Sequence, residues 1–175
     1  MRTKPFLFAF LLCCFLGTMA FGQKKKLTPL QYNDQLAAVT DSLYSLGLEW
    51  GAQLQQIMEG SKNYGQLAAP RAKIAAFTEK KIAEIRRQPP VGTDGAQLKA
   101  TVLDFLNFEK NMIETAFAPL EKLNSNTTQD EIDAAVKKLT DLASQEEEAL
   151  KKVNVAQEAY GKSHGFELEP AEAEE

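Results

Sequence analysis

Residues 128–165 read TQDEIDAAVKKLTDLASQEEEALKKVNVAQEAYGKSHG and predict one long amphipathic helix. Thr128 and Glu131 form a capping box, Thr-x-x-Glu, in which each side chain bonds a free backbone N–H at a helix N-terminus. The apolar residues that follow are spaced so that they share one helix face: Ile132, Val136, Leu139, Ala143, Leu150, Val153 and Tyr160. We expect this helix to end at Ser163 or His164, because a glycine follows.

A second apolar stripe lies near the start of the chain. Thr28 can cap the N-terminus of a helix, and Pro29 is well tolerated at the first helical position. The stripe predicts a helix to about Glu59, where a glycine follows, and consists of Tyr32, Leu36, Val39, Leu43, Leu46, Trp50 and Ile57. Gly47 and Gly51 interrupt it, each at a cost of about 1 kcal/mol relative to alanine. We interpret these glycines as sites of close helix contact beside the tryptophan.

Two further segments, between these two helices in the sequence, are also predicted to be helical. One covers about residues 61–87, and Pro70 either kinks it or lies in the first turn of a helix that begins one residue earlier. The other follows a cap at Thr93 or Asp94, and Pro119 is expected to kink its last turns. Its wide apolar stripe is typical of a core-facing helix and includes Leu98, Val102, Phe105, Met112, Ala116, Leu120 and Leu123.

These four segments predict an all-α protein. No segment alternates apolar and polar residues as a half-buried strand does, and Asp94-Gly95 lacks the flanking runs of a hairpin. Long helices joined by short loops must lie antiparallel, so we expect an antiparallel up-down-up-down four-helix bundle over residues 23–166. A three-helix bundle with a loose second segment is the alternative.

The first 22 residues have the composition of a bacterial secretory signal peptide. Arg2 and Lys4 precede an apolar run over residues 5–16, and Ala20-Phe21-Gly22 has the small-x-small pattern of a cleavage site before Gln23. The apolar run is shorter than the ~20 residues that a membrane span requires. A retained signal anchor is the alternative interpretation of these residues.

Both cysteines of the chain, Cys13 and Cys14, fall within that apolar run. Neither follows a small residue at the end of the run, so a lipid anchor has little support. The mature chain then has no cysteine for a disulfide, a thiolate nucleophile or a Cys-bound metal. We expect an exported protein of the periplasm, the cell surface or the medium, with no stable membrane insertion after signal cleavage.

Acidic residues predominate in the mature chain. Without Arg2 and Lys4, 18 basic residues remain against 24 acidic ones, which leaves a net charge of −6. Nucleic-acid-binding domains are usually basic, so this balance argues against nucleic acid and anionic membranes as partners. Residues 167–175 read ELEPAEAEE, which predicts an acidic disordered tail.

His164 is the only histidine in the chain and suggests an alternative function, a bundle that binds haem or a metal. Metal-binding bundles usually carry paired Glu-x-x-His motifs, which this sequence lacks. A haem bundle of the b type pairs a methionine of the first helix with a histidine of the last, and Met58 lies at the far end of the first helix. We therefore predict no cofactor or metal ligand, and we interpret His164 as a surface residue beside a helix C-terminus.

Tyr32, Tyr160 and His164 are the candidate ligand-binding residues. In an antiparallel bundle the start of the first helix lies beside the end of the last, so these side chains should meet at one end of the molecule. A small aromatic and polar pocket there can hold a ligand. The alternative is core packing, with the tyrosine hydroxyl groups reaching water.

Glu109 and Glu146 both occupy positions in the apolar stripes of their helices, at similar heights on neighbouring segments. Two facing carboxyl groups can share a proton or a metal ion. Heptad positions drift on a straight helix, however, so we favour positions at the solvated flank for both residues. A hydrolase or lyase that uses this pair is a further hypothesis.

The last helical residues and those after them, AQEAYGKSHGFEL at 156–168, are similar to the end of a bacterial family of small predicted surface proteins. The resemblance implies a signal peptide and a helical bundle, and it implies no activity or functional residue because the family's molecular function is not established. The sequence also carries no catalytic motif. We predict a non-enzymatic exported protein that acts by binding an envelope protein or a small ligand.

Overall fold

The computed structural model describes residues 26–168. In this part of the chain we number four long helices in order: α1 (Pro29–Glu59), α2 (Ala68–Arg87), α3 (Gly95–Met112) and α4 (Gln129–His164). A 3-10 turn, Tyr64–Leu67, precedes α2, and α3 continues through a π-helical turn, Ile113–Phe117, into the short helix Ala118–Leu120. None of the described residues lies in a strand. The predicted all-helical, four-helix architecture is confirmed.

The helices pack in chain order around one apolar core. α2 packs against both α1 and α3, and α4 completes the bundle against α3 and α1. Because α2 buries Ile74, Ile82 and Ile85 in the core, the three-helix alternative is wrong. Arg71 of α2 also bonds Glu121 beyond α3, with Nε and Oε2 2.6 Å apart.

Two predicted segments fall outside this description. The signal peptide assigned to residues 1–22 lies wholly before residue 26, and the acidic tail assigned to residues 167–175 is described only as far as residue 168. Between residues 26 and 168, no helix combines the length and the apolar character that a bilayer crossing requires.

Local sequence signals set the ends of the first and last helices. The Thr28 hydroxyl oxygen accepts from the Gln31 N–H at 3.2 Å, and the Gln31 side chain accepts from the Thr28 N–H at 3.1 Å. Thr128 and Glu131 form the same reciprocal pair, as predicted. α4 ends before Gly165, whose φ of 75° suits a residue without a side chain.

Pro70 and Asp94 both mark helix starts. α2 begins at Ala68, so Pro70 lies in its first turn, where a missing N–H breaks no helical hydrogen bond. The kinked alternative is therefore wrong. Asp94 precedes α3 as predicted, although its side chain makes no capping hydrogen bond.

The kink predicted at Pro119 takes the form of the π-helical turn before it. Pro119 has no N–H to donate, and its ring would crowd the carbonyl group of Thr115 in a regular helix. In the π turn, the Ala118 N–H donates to the Ile113 carbonyl oxygen, which adds one residue to the turn. The sequence did not predict this wider turn.

Phe117, at the end of the π turn, stacks on Trp50 of α1. Their ring centroids are 3.8 Å apart and their planes differ by 6°. Trp50 is buried, and no described atom accepts a hydrogen bond from its Nε1. The π turn therefore positions an aromatic contact that ties α3 to α1.

Gly47 and Gly51 do not lie at a close helix contact. A Cβ atom built at either glycine has no described atom within 4 Å, apart from its own helix backbone and its chain neighbours. The interpretation of these glycines as contact sites within the bundle is wrong. The stripe identifies the face of α1 that carries Trp50, but both glycines lie away from the core.

The two halves of α4 differ in burial. After residue 150, four residues of the helix are buried, namely Val153, Gln157, Tyr160 and Gly161. Over residues 129–150 none is buried, and the apolar side chains are half-buried at Ile132, Ala135, Val136, Leu139, Leu142, Ala149 and Leu150. The same apolar stripe is thus fully covered at one end of the helix and only partly covered at the other.

Candidate functional site

Tyr32, Tyr160 and His164 lie together where α1 begins and α4 ends. The ring centroids of Tyr32 and Tyr160 are 6.0 Å apart in an edge-on arrangement. Those of Tyr160 and His164 are 4.4 Å apart. Because α1 and α4 are antiparallel neighbours, residues at opposite ends of the sequence meet, and the predicted proximity of the three side chains is confirmed.

Both tyrosine hydroxyl groups are bound at the start of α3 or in the segment that connects α2 to α3. Tyr32 donates to the carbonyl oxygen of Gly95 at 3.2 Å, and Tyr160 donates to that of Val91 at 2.8 Å. The expectation that these hydroxyl groups reach water is therefore wrong. Burial, with a smaller contribution from Tyr160, raises the pKa of Tyr32 to about 12, so it remains a hydrogen-bond donor at physiological pH.

His164 is half-buried and packs against Gly92 in the same connecting segment. Gly92 has a φ of 72°, and a Cβ atom there would overlap the imidazole ring. The Nε2 atom of His164 is buried, and no described atom bonds it. His164 lies at the C-terminus of α4 as predicted, but its side chain is half-buried, because the segment before α3 folds over the end of α4.

Phe166 covers the remaining side of this cluster. Its ring centroid lies 6.1 Å from that of Tyr160, and a Cβ atom at Gly161 would lie 2.9 Å from its carbonyl oxygen. The aromatic rings therefore fill the space between Tyr32, Tyr160 and His164. A ligand there would have to displace one of these rings, and ligand binding by the three residues stays a prediction.

The positions of Met58 and His164 in the bundle test the hypothesis that these two residues bind haem. Tyr32, near the start of α1, lies beside Tyr160, whereas Met58 lies near the end of α1. At 1.5 Å per residue, the 26 positions between Tyr32 and Met58 correspond to about 39 Å. Met58 and His164 are therefore at opposite ends of the bundle and cannot hold one iron atom between them.

Glu109 and Glu146 form a second candidate site, at the contact between α3 and α4. Glu109 is only 4% exposed, Glu146 is half-buried, and each carboxyl group affects the pKa of the other. The flank position that we favoured is wrong for Glu109. The position of Glu109 in the apolar stripe of α3 indicated its burial correctly, because α4 covers that stripe.

The environment of this pair disfavours two negative charges. Burial raises the pKa of Glu109 to about 8, and repulsion by Glu146 adds to the effect. Burial also raises the pKa of Glu146, while its interaction with Glu109 acts in the opposite direction. These raised pKa values favour retention of one proton by the pair at neutral pH.

The pair holds a proton but does not resemble a metal centre. Among residues 26–168, no group of three or more His, Cys, Asp or Glu side chains is arranged to hold a metal ion. Glu109 is also too buried to touch a substrate unless α4 moves away from α3. Its function as a general acid or base remains a hypothesis that requires such a movement.

Comparisons with known proteins give no relative of this chain. No family model, no curated protein and no solved structure matches it. The resemblance of residues 156–168 to a family of small surface proteins therefore stays a prediction.

Several buried polar groups were not anticipated from the sequence. Asn33 of α1 and Gln157 of α4 are buried beside the tyrosine cluster, and the Asn33 Oδ1 and Gln157 Nε2 atoms have no described hydrogen-bond partner. Asn33 directly follows Tyr32, and Gln157 lies three residues before Tyr160 on the same helix. Their closeness in sequence to these tyrosines could have predicted that both side chains lie at the edge of the core.

Proposed function

We propose that this protein is a non-enzymatic interaction protein that acts after export, and that one face of α1 binds a helix of a partner protein. We define this outer face of α1 as Tyr44, Gly47, Leu48, Gly51 and Met58. The observation that carries the proposal is the concentration of exposed apolar side chains there. Of the five large apolar residues exposed among residues 26–168, four lie on α1: Leu30, Tyr44, Leu48 and Met58.

The spacing of these residues gives the outer face its shape. Tyr44, Gly47, Leu48 and Gly51 follow at intervals of three, one and three, so they lie side by side on the helix surface. The side chains of Tyr44 and Leu48 are about half exposed, at 50% and 53%. The two glycines leave a stretch of helix surface without side chains beside them, and no described atom lies near their Cβ positions.

A partner helix can approach the helix surface at these two glycines. Glycines four residues apart allow the backbone of a second helix to approach closely, while flanking apolar side chains pack against it. In the isolated chain each glycine weakens α1 by about 1 kcal/mol relative to alanine. No packing contact within the described residues offsets that cost, whereas a bound helix would.

Export is supported by the sequence alone. The basic start, the short apolar run and the small-x-small end of residues 1–22 are typical of a signal peptide. Mass spectrometry of the protein recovered from cell envelopes and medium should find a mature N-terminus at Gln23. An intact N-terminus in the cytoplasmic fraction would contradict this part of the proposal.

Site-specific photo-crosslinking tests the outer face of α1. A photo-reactive amino acid placed at Leu48 should crosslink one discrete partner in intact cells. Val155 of α4 is the matched control position, because it is also apolar and is 58% exposed. The same reagent at Val155 should give no discrete product.

Gly51→Leu sharpens this test. The added side chain enters open space in the free protein, so the helical circular dichroism and the melting temperature should not fall. In a complex it would collide with the partner helix and remove the crosslink at position 48. A crosslink that persists in this variant, or equal products at both positions, would exclude the proposed binding face. A product with twice the mass of this chain would identify a second copy as the partner.

A further inference from the structure

Glu146 is the exception in an apolar series on α4. Residues at seven-residue intervals along this helix are Ile132, Leu139, Glu146, Val153 and Tyr160. Four of these five positions are apolar or aromatic. A carboxyl group in the middle of such a series is directed at the neighbouring helix and not at solvent, and Glu146 is half-buried.

The group that Glu146 meets is another carboxyl group. Glu109 of α3 lies among the buried residues Phe105, Leu106, Met112 and Ile113. Its Oε1 atom is buried and has no hydrogen-bond partner within residues 26–168. A buried polar atom of this kind destabilises the packed state unless a proton or a partner compensates for it.

No cation compensates for this pair. On α2, Lys81 bonds Glu84 at 2.9 Å, and on α3, Lys110 bonds Glu79 at 3.1 Å. On α1, Glu49 is paired with Lys73 of α2, also at 2.9 Å. On α4 itself, the four charged neighbours Glu147, Glu148, Lys151 and Lys152 are exposed. Among residues 26–168, Glu146 is the one charged group that raises the pKa of Glu109.

Residues 129–150, the first half of α4, carry Glu146 and make few other strong contacts with the rest of the bundle. None of residues 129–150 is buried, and their ion pair between Lys137 and Asp141 lies within the segment. The segment is held by half-buried apolar side chains and by its contact at Glu109. A change of charge at that contact therefore acts on a segment that has no buried residue of its own.

We propose that the Glu109–Glu146 pair is a proton-dependent latch that holds residues 129–150 of α4 against α3. With one proton shared, a hydrogen bond joins the two helices. When that proton is lost, two like charges face each other between apolar surfaces, and residues 129–150 separate from α3. Val153 and the tyrosine end of α4 stay in place, because their packing does not depend on the pair.

The direction of the pH response follows from the pKa of Glu109. Its ordinary value is 4.5, and burial and Glu146 raise it to about 8 in the closed bundle. The closed state therefore binds the proton more tightly than the open state does. Opening becomes more favourable as the pH rises above 4.5 and levels off near pH 8.

Hydrogen exchange measured by mass spectrometry tests the latch. In the mature protein, the opening constant of amides in residues 129–150, corrected for intrinsic exchange rates, should rise about tenfold per pH unit between pH 5 and 7. Amides in residues 153–164 should show no such rise. Equal responses in the two halves, or no response in the first half, would overturn the proposal.

Two variants separate the latch from a general effect of pH. Glu109→Gln replaces the acid with a neutral group of the same shape, and its first half of α4 should stay protected at every pH. Glu148→Gln removes an exposed carboxyl group from the same helix and should behave like the unmodified protein. If Glu109→Gln keeps the full pH response, the pair is not the latch. If that variant fails to fold, NMR of the side-chain carboxyl carbons of the unmodified protein gives the test instead. The proposal would be overturned if the titration midpoint of Glu109 is not raised above the ordinary value of a glutamate.

Discussion

The first and second halves of α4 carry the same apolar repeat but differ in how the rest of the chain covers it. In the second half, Val153 and Tyr160 are almost completely buried, at 0% and 1% exposure. In the first half the equivalent residues, Ile132 and Leu139, are only half-buried. The periodicity of a helix thus indicates which face meets the core, whereas the depth of burial depends on what the neighbouring segments place there.

The neighbours of the two halves explain this difference. The second half packs under the segment between α2 and α3, where the Val91 carbonyl oxygen accepts from Tyr160 and Gly92 contacts His164. The first half lies against α3 and the turns that follow it. The second half of α4 is therefore enclosed by α1, at Tyr32, and by the segment between α2 and α3, whereas the first half has no buried residue.

Removing an aromatic ring from the enclosed half should have the largest effect. Tyr160→Ala removes a buried ring and its hydrogen bond to Val91, so we expect a loss of about 4 kcal/mol in the free energy of unfolding. Tyr44→Ala is the matched control, because Tyr44 is half exposed, and should change stability by less than about 0.5 kcal/mol. Urea denaturation measures both. Similar losses in the two variants would mean that the tyrosine end does not stabilise the fold.

The carboxyl pair should make the first half of α4 weaker at neutral pH than at acidic pH. Because its pKa is raised from 4.5 to about 8, Glu109 stabilises the fold fully only below pH 4.5, and this stability is lost as the pH rises toward 8. At about 1.4 kcal/mol per pH unit, Glu109→Gln should be more stable than the unmodified protein by about 3 kcal/mol at pH 7. The difference should vanish near pH 4.

Denaturation curves collected from pH 4 to pH 9 measure this effect. Glu148→Gln is the control, because its carboxyl group is exposed and its loss should leave the pH profile unchanged. A Glu109→Gln profile parallel to that of the unmodified protein would show that the carboxyl pair does not limit stability.

The helix ends could be predicted from the sequence because they depend on local hydrogen bonds. Thr28 and Thr128 each bond an N–H three residues later, and Gly165 adopts a conformation that favours glycine. These features require no knowledge of the rest of the chain. The meeting of Tyr32 and Tyr160 was predictable for a related reason, since short loops make consecutive helices antiparallel.

The burial of individual polar residues could not be predicted in the same way. Glu109 and Glu146 were expected at a solvated flank, because most carboxyl groups are exposed. Whether α4 covers Glu109 depends on the rotation of two helices about their axes, which a repeat of seven residues does not define. The half-burial of His164 was missed for a different reason. Its burial depends on Gly92, 72 residues away in the sequence, which makes room for the imidazole ring.

A pair of identical substitutions in the two halves of α4 gives the most direct comparison, with the smallest expected effect. Val153→Ala and Val136→Ala remove the same two methyl groups from one helix, and both gain the same helix propensity. Val153 is fully buried and should lose about 2 kcal/mol, while half-buried Val136 should lose less than about 1 kcal/mol. The difference between the two variants therefore reports packing alone. Equal losses in urea denaturation would show that the two halves are covered to the same extent in solution, and the division of α4 into an enclosed and an open half would be wrong.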